Sequence, residues 1–396
     1  MQRSAICSAL LIFGLSWIVP SASSEEKPPA GVGAKADTVT VGYDMAEAGL
    51  DWLDLVAEGA DADRLRAFFF DEVAPTAGCQ AIVAHWARFG EWDEAKFYEF
   101  ILKALGRTPT DAPLVDAEGH PTALGHARRL WTAALADRTR LRADLAALRE
   151  VDLRDAALAE ARKYLPADAD ITNHFHVVLF GASNAFSVGD ENGFDLLQLK
   201  RNSDGSLDVP ETVALFAHEM HHSGLSSAMA LHMGEVADDD HITLPGVLVA
   251  EGMATYFITP PGPDLERWRA SDDPGERQLA ADWDRHAAEM PELYAMAEAD
   301  IGRGLDGSLT VDELVEHWLG GMQGPAYAVG MDMMRLIDHE LGRATVINLA
   351  RDSRPLLEIY NRAARSARAH GDTAYLFPDP LAARLAAFRT SKPAAP

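Results

Sequence analysis

Between Val213 and Gly224 the chain reads VALFAHEMHHSG, and within it His218-Glu219-Met220-His221-His222 sets two imidazoles four residues apart with a carboxylate directly after the first. On a helix of 3.6 residues per turn, positions four apart share a face, so His218 and His222 point at one place and suit a zinc ion. Glu219, about 100° further round, reaches a water on such an ion without being a ligand itself. At this composition the pattern His-Glu-x-x-His is expected only about 0.03 times by chance, and histidine clustering raises that several-fold at most. A polar helix face that merely collects histidines is therefore the weaker reading.

A catalytic zinc site needs a third protein ligand and an open position for water. Downstream, PGVLVAEGMATYF (Pro245 to Phe257) reads as a second helix in which Glu251 is the one ionisable residue apart from Tyr256. A lone carboxylate among Val, Leu, Ala and Met is costly to bury unless it is paired or bound to a metal, which makes Glu251 the first choice. His232, Glu235, Asp238, Asp239, Asp240 and His241, in the connection between the two helices, compete with it. Their clustering otherwise suits a solvated acidic loop. His221 faces away from Glu219 and reads as a supporting or surface residue. His174 and His176 share one side of a strand, but no carboxylate or cysteine nearby in sequence completes a metal site. NSDGSLDVPE and LDGSLTVDE, after Lys200 and near Gly302, have a calcium-loop glycine without an acid at the first position, and read as Asp-Gly turns.

The chemistry follows from the residue types. Zinc lowers the pKa of a bound water from near 16 to about 7, which makes a nucleophile available at neutral pH. Glu219 is placed to take the proton as general base and to deliver it to the leaving amine. The developing oxyanion needs at least one further hydrogen-bond donor.

These residues need elements to position them. From Met45 to Pro166 apolar residues recur at helical spacing, as in LDWLDLVAEGA and CQAIVAHWARF, and predict four to six helices. HFHVVLF (His174 to Phe180) and FDLLQL (Phe194 to Leu199) change to β-branched and apolar runs, the best strand candidates; the second is a candidate edge strand for an extended peptide to pair with. Helical patterning resumes at Pro210 and runs to about Phe388. Asp208 and Pro210 suit a helix start and Gly224 a stop, which predicts a motif helix of about 14 residues. The fold class is α+β, mostly α-helical.

At 396 residues and 48% hydrophobic content the chain is globular, with enough apolar material for one large core or two modest ones. Arg3, the apolar run Ala5 to Val19 and Pro20-Ser21-Ala22-Ser23-Ser24 read as a signal peptide. That run is shorter than the about 20 residues needed to span a bilayer, so no stable membrane anchor is expected and the protein is expected to be exported, periplasmic or extracellular. Cys79 is the one cysteine beyond the leader, which leaves no internal disulfide and reads as a buried apolar residue. A formal charge of −26 argues against a nucleic-acid partner.

His218-Glu219-x-x-His222 followed by Glu251-Gly252-x-Ala254 resembles the thermolysin-like zinc metallopeptidases called gluzincins, and within them families of zinc-dependent peptidases that are uncharacterised. Strands just before the motif helix and Tyr327 with Gly330, in GPAYAVGMDMM, extend the resemblance. It implies a zincin-like core of a small sheet and two metal-bearing helices, zinc on His218, His222 and Glu251, and Tyr327 as the oxyanion donor. The 28 residues between His222 and Glu251 exceed the spacing in familiar thermolysin-like enzymes and imply an inserted loop over about 226–245. The expected organisation is a leader at 1–24, a flexible linker at 25–38, a helical region at 39–166, the zincin core at 167–260, a second helical region at 261–390 and a tail at 391–396. The implied activity is hydrolysis of peptide or protein substrates. The alternatives are a non-catalytic zinc-binding protein that keeps the fold, or a zinc hydrolase with a non-peptide substrate.

Overall fold

The computed structural model describes residues 37–389, apart from 89, 91, 116–121, 183–184, 203, 238, 272–273 and 321–322. The leader at 1–24, the linker as far as residue 36 and the tail at 391–396 lie outside the described residues. The fold is α+β and mostly helical, with one four-stranded mixed sheet among the described residues.

Among the described residues, the helical spacing between β1 and β2 resolves into seven α-helices rather than four to six. They are α1 (Asp44–Ala57), α2 (Ala62–Phe68), α3 (Ala77–Ala87), α4 (Glu94–Ala104), α5 (Ala123–Ala136), α6 (Arg138–Glu150) and α7 (Leu153–Arg162). The long run ALGHARRLWTAALADRTRLRADLAALREV is not one helix, because Asp137 leaves helical geometry between α5 and α6. Polar side chains set several starts: Thr76, Asp93 and Thr122 each accept from a backbone N–H three residues on.

The strands are β1 (Thr38–Gly42), β2 (Thr172–Val178), β3 (Ala185–Val188) and β4 (Glu191–Asp195), in the order β1-β2-β4-β3. β4 runs parallel to β2, with Val177 opposite Phe194, and antiparallel to β3. The sequence therefore misplaces one strand. Phe194 and Asp195 end β4, residues 196–199 leave the sheet, and β4 lies between two neighbours, so it is no edge for a peptide. The edges among the described strands are β1 and β3.

After the sheet come α8 (Val209–Met233), α9 (Thr243–Phe257), α10 (Gly262–Ala270), α11 (Pro274–Ala288), α12 (Met290–Leu305), α13 (Val311–Leu314), α14 (Pro325–Leu341), α15 (Arg343–Leu349), α16 (Leu356–Ala369) and α17 (Asp379–Ala386). None among the described residues is long and apolar enough to cross a membrane. The chain packs as two units. One holds Thr38–Ala156 and Asn173–Val213, with the sheet and α1–α6; the other holds Ala157–Thr172 and 214–389, with α9–α17 and all but the first turn of α8.

In the first unit Trp52, Phe69, Phe97, Phe175, Phe180 and Phe194 are fully buried, and so is Cys79, whose thiol burial pushes up to about 12. In the second, α9 is buried on nearly every side, from Leu244 to Thr255. A helix apolar all round belongs in an interior. It lies against α14 at a point where both backbones lack a side chain: a Cβ on Gly252 would fall 2.4 Å from the Gly330 carbonyl carbon, and one on Gly330 would fall 2.5 Å from Leu248 O.

Candidate active site

The motif helix starts where the sequence placed it. Asp208 Oδ1 accepts from Glu211 N at 3.1 Å, and Thr212 Oγ1 donates to Asp208 O at 2.9 Å. It does not stop at Gly224. α8 runs through that glycine to Met233, because a close approach from Leu165 and Ile171, rather than a turn, requires the missing side chain; a Cβ there would lie 2.3 Å from Leu165 Cδ1. Much of the apparent insertion is consequently two further turns of helix. The rest is two short 3-10 turns, at Gly234–Val236 and Asp240–Ile242, leading into α9 at Thr243, two residues before the expected Pro245.

On this frame His218, His222 and Glu251 converge, all of them buried, with their ligand atoms within 4.8 Å of one another. The two imidazoles stand edge to face, ring centres 4.6 Å apart. Glu251 Oε2 lies 3.5 Å from His218 Nε2 and 3.5 Å from His222 Nε2. That is at the outer limit of a hydrogen bond. It is also close to the spacing of about 3.4 Å between two ligands that each sit about 2.0–2.1 Å from one tetrahedral ion. Oε2 is buried with no hydrogen-bond partner, so the carboxylate is not settled by ordinary donors. Burial alone would raise the Glu251 pKa, yet the facing His222 and His218 hold it down at about 2. Two nitrogens and one anionic oxygen, dry and convergent, are a donor set that fits zinc.

Glu219 occupies the flank of this trio. Its Oε1 is buried without a partner, and burial pushes the carboxyl up to about 7; His218 opposes that rise and Glu251 adds to it. Tyr327, on α14, is also buried, and its phenol is held well above 10 by burial first and then by the charges of Glu251 and Glu219. It therefore keeps its proton as a hydrogen-bond donor. The Gly252–Gly330 contact lets α14 come close enough to α9 to bring that tyrosine to the carboxylates.

Among the described residues, none of the competing ligands joins the trio. His232 is on the last turn of α8, its Nε2 2.9 Å from Asp168 Oδ2. Asp239 is buried and accepts from His241 N at 3.1 Å, with His241 Nδ1 2.7 Å from the same oxygen. Asp240 is exposed; the Glu235 side chain and Asp238 lie outside the described residues. His221 is buried rather than at the surface: its Nε2 sits 3.4 Å from Tyr164 O, and burial, then the charges of His222 and His218, lower its pKa to about 3. In the sheet, His174 Nδ1 meets Thr40 Oγ1 at 2.9 Å, and His176 does have a carboxylate, Glu191 Oε2 at 2.5 Å, supplied by the parallel pairing of β2 and β4. Both Asp-Gly segments turn as expected, with Gly205 and Gly307 at positive φ.

One contact escaped the sequence altogether. His218 Nδ1 lies 2.9 Å from Thr259 Oγ1, just past the end of α9. No spacing rule points to Thr259, because the contact depends on how α8 and α9 pack.

No curated protein and no solved structure matches the chain. A family model described as "Putative zinc dependent peptidase (DUF5700)" matches residues 100–369, more than half of the chain and the whole span of His218, Glu219, His222, Glu251 and Tyr327, and the chain belongs to that family.

Proposed function

We propose that the chain is an exported zinc metallopeptidase of the gluzincin type, hydrolysing peptide bonds in peptide or protein substrates. The observation that carries this reading is the dry convergence of His218 Nε2 and His222 Nε2 on Glu251 Oε2, with the Glu219 carboxyl beside them. In this reading α8 and α9 are the two metal-bearing helices of a zincin-like core. His218, His222 and Glu251 hold the ion. When bound, zinc supplies a Lewis acid that polarises the scissile carbonyl and acidifies water.

The remaining work falls to the chain's own side chains. Glu219 takes a proton from the attacking water on its carboxylate and returns it to the leaving amine, and the burial that raises its carboxyl favours its taking up that proton. Tyr327 donates its phenol hydrogen to the oxyanion as charge develops there. The apolar walls of α9 exclude bulk water, which strengthens each of these interactions. Export rests on the leader composition, Arg3 followed by the apolar run to Val19.

The test is metal content of the purified protein and of Glu219→Gln, alongside cleavage of casein. About one zinc per chain in both, with cleavage reduced by about 10²–10⁴-fold in Glu219→Gln, supports the reading. Zinc in both with cleavage by neither points to a binding protein, and no zinc in either sinks the metal assignment.

A further inference from the structure

We infer that Thr259 is a positioning residue for the metal centre: its hydroxyl holds the His218 ring with the proton on Nδ1, so that Nε2 presents its lone pair beside Glu251 and His222. The inference rests on the metal reading of the trio and adds to it a residue that no motif marks.

An imidazole offers a lone pair at one nitrogen only while the other carries the proton, and whichever partner the second nitrogen finds decides which form is present. In His218 the nitrogen toward Glu251 is Nε2, at 3.5 Å, and the nitrogen toward Thr259 Oγ1 is Nδ1, at 2.9 Å. With Nε2 given to the ion, Nδ1 carries the proton and donates it to the hydroxyl oxygen. The hydroxyl's own hydrogen has a destination as well, since Ala254 O stands 3.5 Å from Oγ1. The same carbonyl accepts from Thr259 N at 3.1 Å, which pins the residue in the turn that closes α9. Nδ1–H and the Thr259 hydroxyl thus run in one direction, with the Ala254 carbonyl at the outer limit of hydrogen-bond length beyond them.

These contacts tie together the two helices that supply the ligands. His218 belongs to α8, whereas Ala254 lies in the last turn of the helix that carries Glu251 and Thr259 just past its end. One contact therefore sets the ring orientation of His218 and registers it against the third ligand. The chemistry of the partner is informative too. A neutral hydroxyl orients the ring without adding a third negative charge to a buried site that already holds Glu219 and Glu251.

The test is zinc affinity of the purified protein by competition with a chromogenic chelator, for the parent, Thr259→Val and Thr259→Ser, together with melting of each metal-free form. Thr259→Val keeps the shape and removes the hydroxyl; it is expected to bind zinc about 10–100-fold more weakly, while Thr259→Ser stays within about threefold of the parent. Metal-free Thr259→Val should melt close to the parent, which separates a positioning role from a general loosening of the turn. Parent-like zinc affinity in Thr259→Val, or a serine variant as weak as the valine one, overturns the inference while leaving the metal reading intact. Should Thr259→Val not fold, Thr259→Ala supplies the same comparison. A parent protein that takes up no zinc removes the metal reading and this inference together.

Discussion

Asp195 in one unit and Glu251 in the other are both buried almost completely, and they are satisfied in opposite ways. Asp195, at the end of β4, accepts four hydrogen bonds: from Phe180 N at 3.1 Å, Gly181 N at 2.6 Å, Leu197 N at 3.2 Å and Gln198 Nε2 at 2.9 Å. Glu251 has an oxygen that meets no donor at normal length and faces two imidazole nitrogens at 3.5 Å instead. A buried carboxylate surrounded by backbone donors is finished by the fold, and what it does is hold a chain reversal in place. A buried carboxylate that faces two imidazole nitrogens at 3.5 Å is left for a cation, or for the imidazoles' own protons, to finish. The contrast separates structure from function more sharply than burial does, since both residues are at most 2% exposed.

The largest expected effect comes from exchanging the roles. Glu251→Gln should weaken zinc binding by more than the about 100-fold that loss of an outer partner costs, with a smaller effect on metal-free stability than Asp195→Ala has. Zinc content that survives Glu251→Gln would break the comparison. Asp195→Ala should instead leave zinc binding intact and lower stability by about 3–5 kcal/mol, because it strands three backbone N–H groups and an amide.

Asp195 also makes a pH-dependent prediction. Burial pushes its pKa up to about 6, opposed by Gln198, Phe180, Gly181 and Leu197. With the folded value above the unfolded one near 4, its stabilising contribution is full below about pH 4 and is lost as pH rises through about 6. Denaturant titrations should therefore show the gap between the parent and Asp195→Ala narrowing by on the order of 2–3 kcal/mol across that window. A gap that stays constant with pH would mean that the four donors outweigh desolvation.

A smaller effect is expected where α9 and α14 touch. Gly330→Ala places a methyl 2.5 Å from Leu248 O and should cost about 1–3 kcal/mol. By moving Tyr327 it should lower kcat more than it changes KM, and an unchanged kcat would remove Tyr327 from the oxyanion role. The smallest effect belongs to His232→Ala. Its pairing with Asp168 is at the surface, so stability should move by no more than about 0.5 kcal/mol and zinc content not at all.

The parts of the site that were legible are those written in local periodicity. His218 and His222 share a face because a step of four residues is just over one helical turn, and that holds wherever the helix goes. Glu251 was legible for a different reason: an unbroken apolar helix has to be interior, so the one carboxylate in it needs a partner. Gly224 misled because a glycine that ends a helix and a glycine that admits a neighbour look alike in sequence. Leu165 and Ile171, far back in the chain, make it the second kind. Phe194 misled in the same way, since an apolar run marks a strand without saying whether it lies at the edge or in the middle of a sheet.

By itself the amino-acid sequence determined the α+β, mostly helical class and the imidazole pair with Glu219 after it, and it ranked Glu251 first among the groups that could join them, because propensity, period and burial cost act within a few turns of chain. Only the tertiary structure decided that 28 intervening residues still bring Glu251 to 3.5 Å from both imidazoles, that Tyr327 is buried near Glu251 and Glu219, and that Thr259 meets His218. The physical reason is that these contacts depend on how helices pack. Packing is settled by shape at points such as Gly252 against Gly330, where two backbones touch, and no spacing in the chain records which surfaces will meet.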